Sequence, residues 1–181
     1  MTARLLKRGF TLVELLVVIA IIGVLAVVVL VAINPVQQLA RTRDAGRKSA
    51  ITQIGHAMEA YSTTHNGSYV AEGTTWATAL VTAGELSIVP QRIIYSVGTM
   101  GTFTCSFEQL GTADWCYDAF DVAGASPGIV YTRMESTSEI SKCAAGEAAW
   151  FAWSTAAGRG GVMCTANATT PPVQGATTFV D

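Results

Sequence analysis

Between Phe10 and Ile33 the chain is aliphatic apart from Thr11 and one ionisable residue, Glu14. A carboxylate in hydrocarbon costs roughly 2.5–3.5 kcal/mol on insertion scales, so an acid placed there needs a cationic partner. The second chemistry is oxidative. Cys105, Cys116, Cys143 and Cys164 all lie well past the apolar run. An even number of cysteines in an exported chain reads as two disulfides, with three possible connectivities. Pairing of sequence neighbours, Cys105–Cys116 and Cys143–Cys164, is preferred. No Cys-x-x-Cys pair occurs, so structural zinc is not expected. Catalysis finds little material. His56 lies inside a helical pattern and His65 at its end, where a cap is the simpler reading. There is no Gly-x-Ser-x-Gly elbow and no phosphate loop. The chain is expected to be no enzyme and to hold no cofactor.

The elements that place these residues follow from periodicity. Residues 10–33 are long enough to span a bilayer as a helix. Arg4, Lys7 and Arg8 precede them, which predicts a cytoplasmic N-terminus and a C-terminal head outside. A cleaved secretory signal would need small residues after the apolar core, and Val31-Ala32-Ile33-Asn34-Pro35 offers no convincing site. Asn34-Pro35 interrupts the pattern, and Pro35 suits the first turn of a resumed helix. From Val36 to about Thr64, Ile51, Ile54, Met58 and Tyr61 form one apolar stripe. Asp44 and Lys48 stand four apart, the spacing of a favourable ion pair. His65-Asn66-Gly67 is a helix stop.

The string Arg8-Gly9-Phe10-Thr11-Leu12-Val13-Glu14-Leu15, continued through Ile21-Ile22-Gly23, resembles the class III leader of type IV pilins and type II secretion pseudopilins. The likeness covers about the first 40 residues, and a weaker one runs to about Pro90. It implies cleavage between Gly9 and Phe10 by a prepilin peptidase, with methylation of the new N-terminal Phe10. It further implies a homo-oligomeric helical filament, an inner-membrane platform protein and an assembly ATPase as partners. Before assembly the subunit would be a single-pass membrane protein, and afterwards part of a cell-surface pilus. Glu14 of one subunit is then expected to neutralise the free Phe10 ammonium of another. Gly23 stands where the family often has glycine and would permit close helix approach.

Major pseudopilins bind calcium through loop acids, so Asp114, Asp118 and Asp121 beside Cys116 are weak calcium candidates. Their spacing matches no EF-hand loop, and solvated surface acids are the simpler reading. The expected function is a structural subunit of a type IV pilus-like filament. The alternatives are a type II secretion pseudopilin and a membrane-anchored adhesin or DNA-uptake module of the minor-pilin kind.

The expected fold is α+β: a long N-terminal helix, apolar and then amphipathic, packed on a small antiparallel sheet. The segments are a leader (1–9), a membrane or filament-core helix (10–33), an amphipathic half (34–66) and a head (67–181). Thr74 to Leu86 reads as a short second helix closed by Gly84. Candidate strands are Ile93–Val97, Thr102–Phe107, Trp115–Phe120, Gly128–Met134 and Ala149–Ser154. Trp150, Phe151 and Trp153 are expected in the core rather than as a stacking platform. Gly158-Arg159-Gly160-Gly161 reads as a flexible turn, and the Thr-rich tail from Ala166 as extended or loosely attached. Arg41, Arg43, Arg47 and Lys48 crowd just past the apolar run, which suggests a juxtamembrane or subunit-contact patch. Without residues 1–9, which hold three of the 11 basic residues, the formal charge is about −5. The acidic head lacks the broad basic face of a nucleic-acid binder, and no such partner is expected. Asn167-Ala168-Thr169 fits an N-glycosylation acceptor.

Overall fold

A computed structural model describes residues 9–91, 93–96, 107–108, 115–119, 127–167 and 169–180. The chain divides into two compact units after Gln38. The first is dominated by α1 (Leu12–Ile33), whose 22 residues include none that is buried within the chain. Asn34, left-handed at φ 44°, ends α1. Its carbonyl and side-chain oxygens then accept from Gln37 N at 3.0 and 3.4 Å. One residue thereby closes α1 and caps α2 (Pro35–Thr64), and Pro35 loses nothing by having no N–H at a first turn.

In the second unit, the buried face of α2 carries Ile51, Ile54 and Met58, as the stripe predicts. The stop falls where expected: Asn66 and Gly67 have φ of 55° and 84°. The short second helix is α3 (Trp76–Thr82), which buries Trp76, Ala77 and Leu80. Past Gly84, Glu85 N and Leu86 N bond back to Leu80 O.

Among the described residues the sheet is a five-stranded antiparallel meander in chain order. Its strands are β1 (Phe107–Glu108), β2 (Cys116–Ala119), β3 (Gly128–Arg133), β4 (Ala148–Ser154) and β5 (Arg159–Thr165). A four-residue helix, α4 (Thr137–Ile140), joins β3 to β4. Alternation along the strands makes two apolar faces. Tyr117, Ala119, Val130 and Trp153 pack with Ile51, Ile54 and Met58 of α2 and with α3. Cys116, Ile129, Tyr131, Trp150 and Met163 form the opposite face, which Ala176 and Phe179 of the tail cover. The architecture is therefore α+β, and Trp150 and Trp153 are core residues, with Phe151 packed against the core.

Several expectations change. The described part of Ile93–Val97, residues 93–96, is not a strand. Its backbone groups are taken by side chains instead: Arg47 donates to Ile93 O, and Ser96 N donates to Glu135. Of Thr102–Phe107 only Phe107 is described, and it begins β1. The flexible turn predicted at Gly158–Gly161 is mostly strand, because β5 starts at Arg159. A Cβ on Gly160 would stand 2.9 Å from the Trp153 ring, and one on Gly161 2.6 Å from Phe179. These glycines mark close packing rather than looseness. The tail is tied at its end as well, since Val180 N bonds to Val162 O at 2.8 Å.

Candidate functional site

The first candidate site is the start of α1. Gly9 and Phe10 precede the helix and are exposed, so the peptide bond between them lies in accessible, non-helical chain. Thr11 is the N-cap and forms a capping box with Glu14. Thr11 N and Thr11 Oγ1 each donate to Glu14 Oε2 at 2.8 Å, and Glu14 N donates to Thr11 Oγ1 at 3.2 Å. The box satisfies donors that every helix N-terminus leaves over. Both donors use the same carboxylate oxygen, which leaves Oε1 able to accept a further bond. Every member of the box lies on the C-terminal side of the Gly9–Phe10 bond. Cutting there would keep the box and place a new ammonium one residue before it.

Gly23 lies in the middle of α1. A side chain there would meet nothing within 4 Å, so no contact inside the chain accounts for the missing Cβ. Ile19, Ala20, Val24, Val27 and Val28 line a shallow apolar groove with it.

The second site was hidden in the sequence. Extended toward its N-terminus, the buried stripe of α2 passes through Arg47, Asp44 and Ala40. Arg47 Nη1 lies 2.9 Å from Asp44 Oδ1 and 3.0 Å from Glu135 Oε1, and its Nη2 donates to Ile93 O at 3.0 Å. Its guanidinium also sits 3.8 Å from the Tyr95 ring centroid. Asp44 accepts from Glu135 N and Ser136 N at 2.8–3.1 Å. It supplies the N-terminus of α4 with an acceptor that Ser136, the N-cap, does not provide through its own side chain. Arg43 pairs with Glu135 as well. Burial works to raise Glu135, but bonds from Arg43, Ser96 N and Arg47 outweigh it and hold the carboxyl below its ordinary value. Lys48 reaches Glu139 at 2.6 Å. The expected Asp44–Lys48 pair is therefore replaced by partners across the fold. Of the supposed contact patch, Arg43, Arg47 and Lys48 are engaged inside the head, and Arg41 is exposed. The cluster joins α2, residues 93–96 and α4.

The cysteine pairing is met where it is described. Cys143 and Cys164 form a disulfide with Cα atoms 5.5 Å apart. Cys116 is also disulfide-bonded, and Cys105 lies outside the described residues. Glu147 approaches the Cys143–Cys164 pair, but oxidised sulfurs are not thiolate ligands. Of the calcium candidates, Asp114 and Asp121 lie outside the described residues. Asp118 is half-buried, and its carboxyl is raised, first by burial and then by the nearby Glu72. His65 shares Nδ1 with Tyr61 O at 3.0 Å and stacks on the Tyr61 ring, as a helix-end cap would.

No curated protein and no solved structure matches the chain. Residues 4–30 match the family model described as the prokaryotic N-terminal methylation motif, and this motif supports a type IV pilin-like or pseudopilin protein.

Proposed function

We propose that this chain is a structural subunit of a type IV pilus-like filament. It is cleaved after Gly9 by a prepilin peptidase, methylated on Phe10 and polymerised through α1. One observation carries the reading: a 22-residue helix, apolar on every side but for Glu14, has no residue buried within its own chain. Such a surface is stable in a bilayer or against other copies, and not in water. In the bilayer α1 anchors the subunit with the head outside, where the Cys143–Cys164 disulfide persists. In the filament, Glu14 Oε1 receives the Phe10 ammonium of a neighbour. Apolar helices slide past one another with little preference, and a buried ion pair selects one offset. The head performs no catalysis. A platform protein and an assembly ATPase drive the transfer.

The test is Glu14→Gln in the native host. Cleavage after Gly9 should continue while surface filaments fall at least tenfold. Normal filament yield from the variant would refute the pairing. If wild-type filaments shear off as long fibres made mainly of this chain, the short secretion piston and the tip-only adhesin are excluded.

A further inference from the structure

The sequence holds two Asn-x-Ser/Thr triplets, Asn66-Gly67-Ser68 and Asn167-Ala168-Thr169. The fold treats them differently. Asn66 is locked in the left-handed region at φ 55° as part of the helix stop, and Ser68 N is bonded to His65 O. Its carboxamide makes no hydrogen bond with the hydroxyl two residues on. Asn167 stands on the exposed segment just past β5. Its Oδ1 accepts from Thr169 N at 3.0 Å, Thr169 Oγ1 at 2.9 Å, Thr170 N at 2.9 Å and Thr170 Oγ1 at 2.8 Å.

The two backbone donors settle which end of the carboxamide is oxygen, because an N–H cannot donate to the amide nitrogen. Nδ2 is therefore the other end of the carboxamide of an exposed residue, and it forms no hydrogen bond among the described residues. An amide nitrogen is a poor nucleophile because its lone pair is delocalised. Donors crowded on Oδ1 stabilise the negative charge that grows there as an Nδ2 proton departs. The hydroxyl of Thr169, the third residue of the triplet, supplies one of these donors.

We propose that Asn167 is an N-glycosylation site and that Asn66 is not. The donor class is a saccharide linked through pyrophosphate to a membrane lipid. The bond from sugar C1 to pyrophosphate oxygen breaks, C1 bonds to Asn167 Nδ2, one Nδ2 proton passes to solvent, and the lipid pyrophosphate leaves with the bonding electrons. Nothing is oxidised or reduced. The proposal needs only that the head leave the cytoplasm, whichever assembly it enters.

The chain is recovered from its native host, reduced, digested with trypsin and weighed. Residues 160–181 contain no Lys or Arg, so Asn167 falls in the tryptic peptide that begins at Gly160, and Asn66 in the separate peptide 49–92. The peptide from Gly160 should carry a saccharide mass that fragmentation places on Asn167, with peptide 49–92 bare. Asn167→Gln and Thr169→Ala should abolish the added mass, and Thr169→Ser should keep it. An unmodified peptide from Gly160, sugar on Asn66 alone, or added mass that survives Asn167→Gln on a threonine would each overturn the proposal. Filament yield is scored separately, so failure here leaves the filament reading standing.

Discussion

Replacing Arg47 with methionine should damage the head more than any other exchange of one charged side chain. The guanidinium is fully buried and touches Asp44 and Glu135 through the same nitrogen. Its removal leaves two buried carboxylates within about 6 Å of each other. At an effective dielectric of about 20, their repulsion amounts to roughly 3 kcal/mol. Two charge-assisted bonds and the bond to Ile93 O are lost as well, each worth on the order of 1–3 kcal/mol. Arg43 still faces Glu135, and the backbone donors at 135 and 136 still face Asp44. The net loss should therefore be about 3–5 kcal/mol, as when a buried pair is broken from one side. At about 2–4 °C per kcal/mol, the melting point should drop by about 6–20 °C. All four tryptophans lie past residue 75. Their fluorescence during urea unfolding of the full chain in detergent therefore reports the head rather than α1. The triple variant Asp44→Asn, Arg47→Met, Glu135→Gln should recover much of the loss, since the one charge it leaves without an ionic partner, on Arg43, is partly exposed rather than buried. If Arg47→Met alone unfolds within about 1 kcal/mol of wild type, the cluster does not hold the head together as argued.

Two further outcomes follow from the same geometry. The folded-state carboxyl of Glu135 lies below its ordinary value of 4.5, so its contribution is present above about pH 4.5 and lost as pH falls through the folded value. Urea midpoints measured from pH 7 to pH 3 should fall on the acid side, and Glu135→Gln should flatten that fall while lowering the plateau. Gly55→Ala would ordinarily favour a helix by about 1 kcal/mol, yet a Cβ there would fall inside the Trp153 indole. The variant should instead lose roughly 1–3 kcal/mol by overpacking, with a shift in tryptophan emission, and an unchanged midpoint would refute that close approach.

Much of this was legible in the sequence because periodicity and breakers are local. The apolar span, the Asn34-Pro35 break, the α2 stripe and the stop at Asn66-Gly67 each need only a short window. The Cys143–Cys164 pairing was reached by preferring sequence neighbours. What escaped was non-local. Arg47 lies 88 residues from Glu135, and a basic cluster read along the chain looks like a solvated patch. The available signal was the stripe itself: carried back from Ile51 by four and then three residues, it passes through Arg47 and Asp44. A charged pair on a buried helix face predicts buried partners. Residues 93–96 were misread because their β-branched composition suits a strand, whereas their hydrogen bonds go to side chains. Gly160 and Gly161 were misread because a glycine that loosens the chain and one that admits a neighbouring ring are the same letter.

The filament account rests above all on how the chain begins once it has matured. The N-terminal peptide mass of material sheared from the surface of the native host tests this most directly. The account predicts a chain that starts at Phe10, carries one added methyl on its α-amino group, and is abundant in the sheared fraction. A chain that still starts at Met1 and stays in the membrane fraction would contradict it.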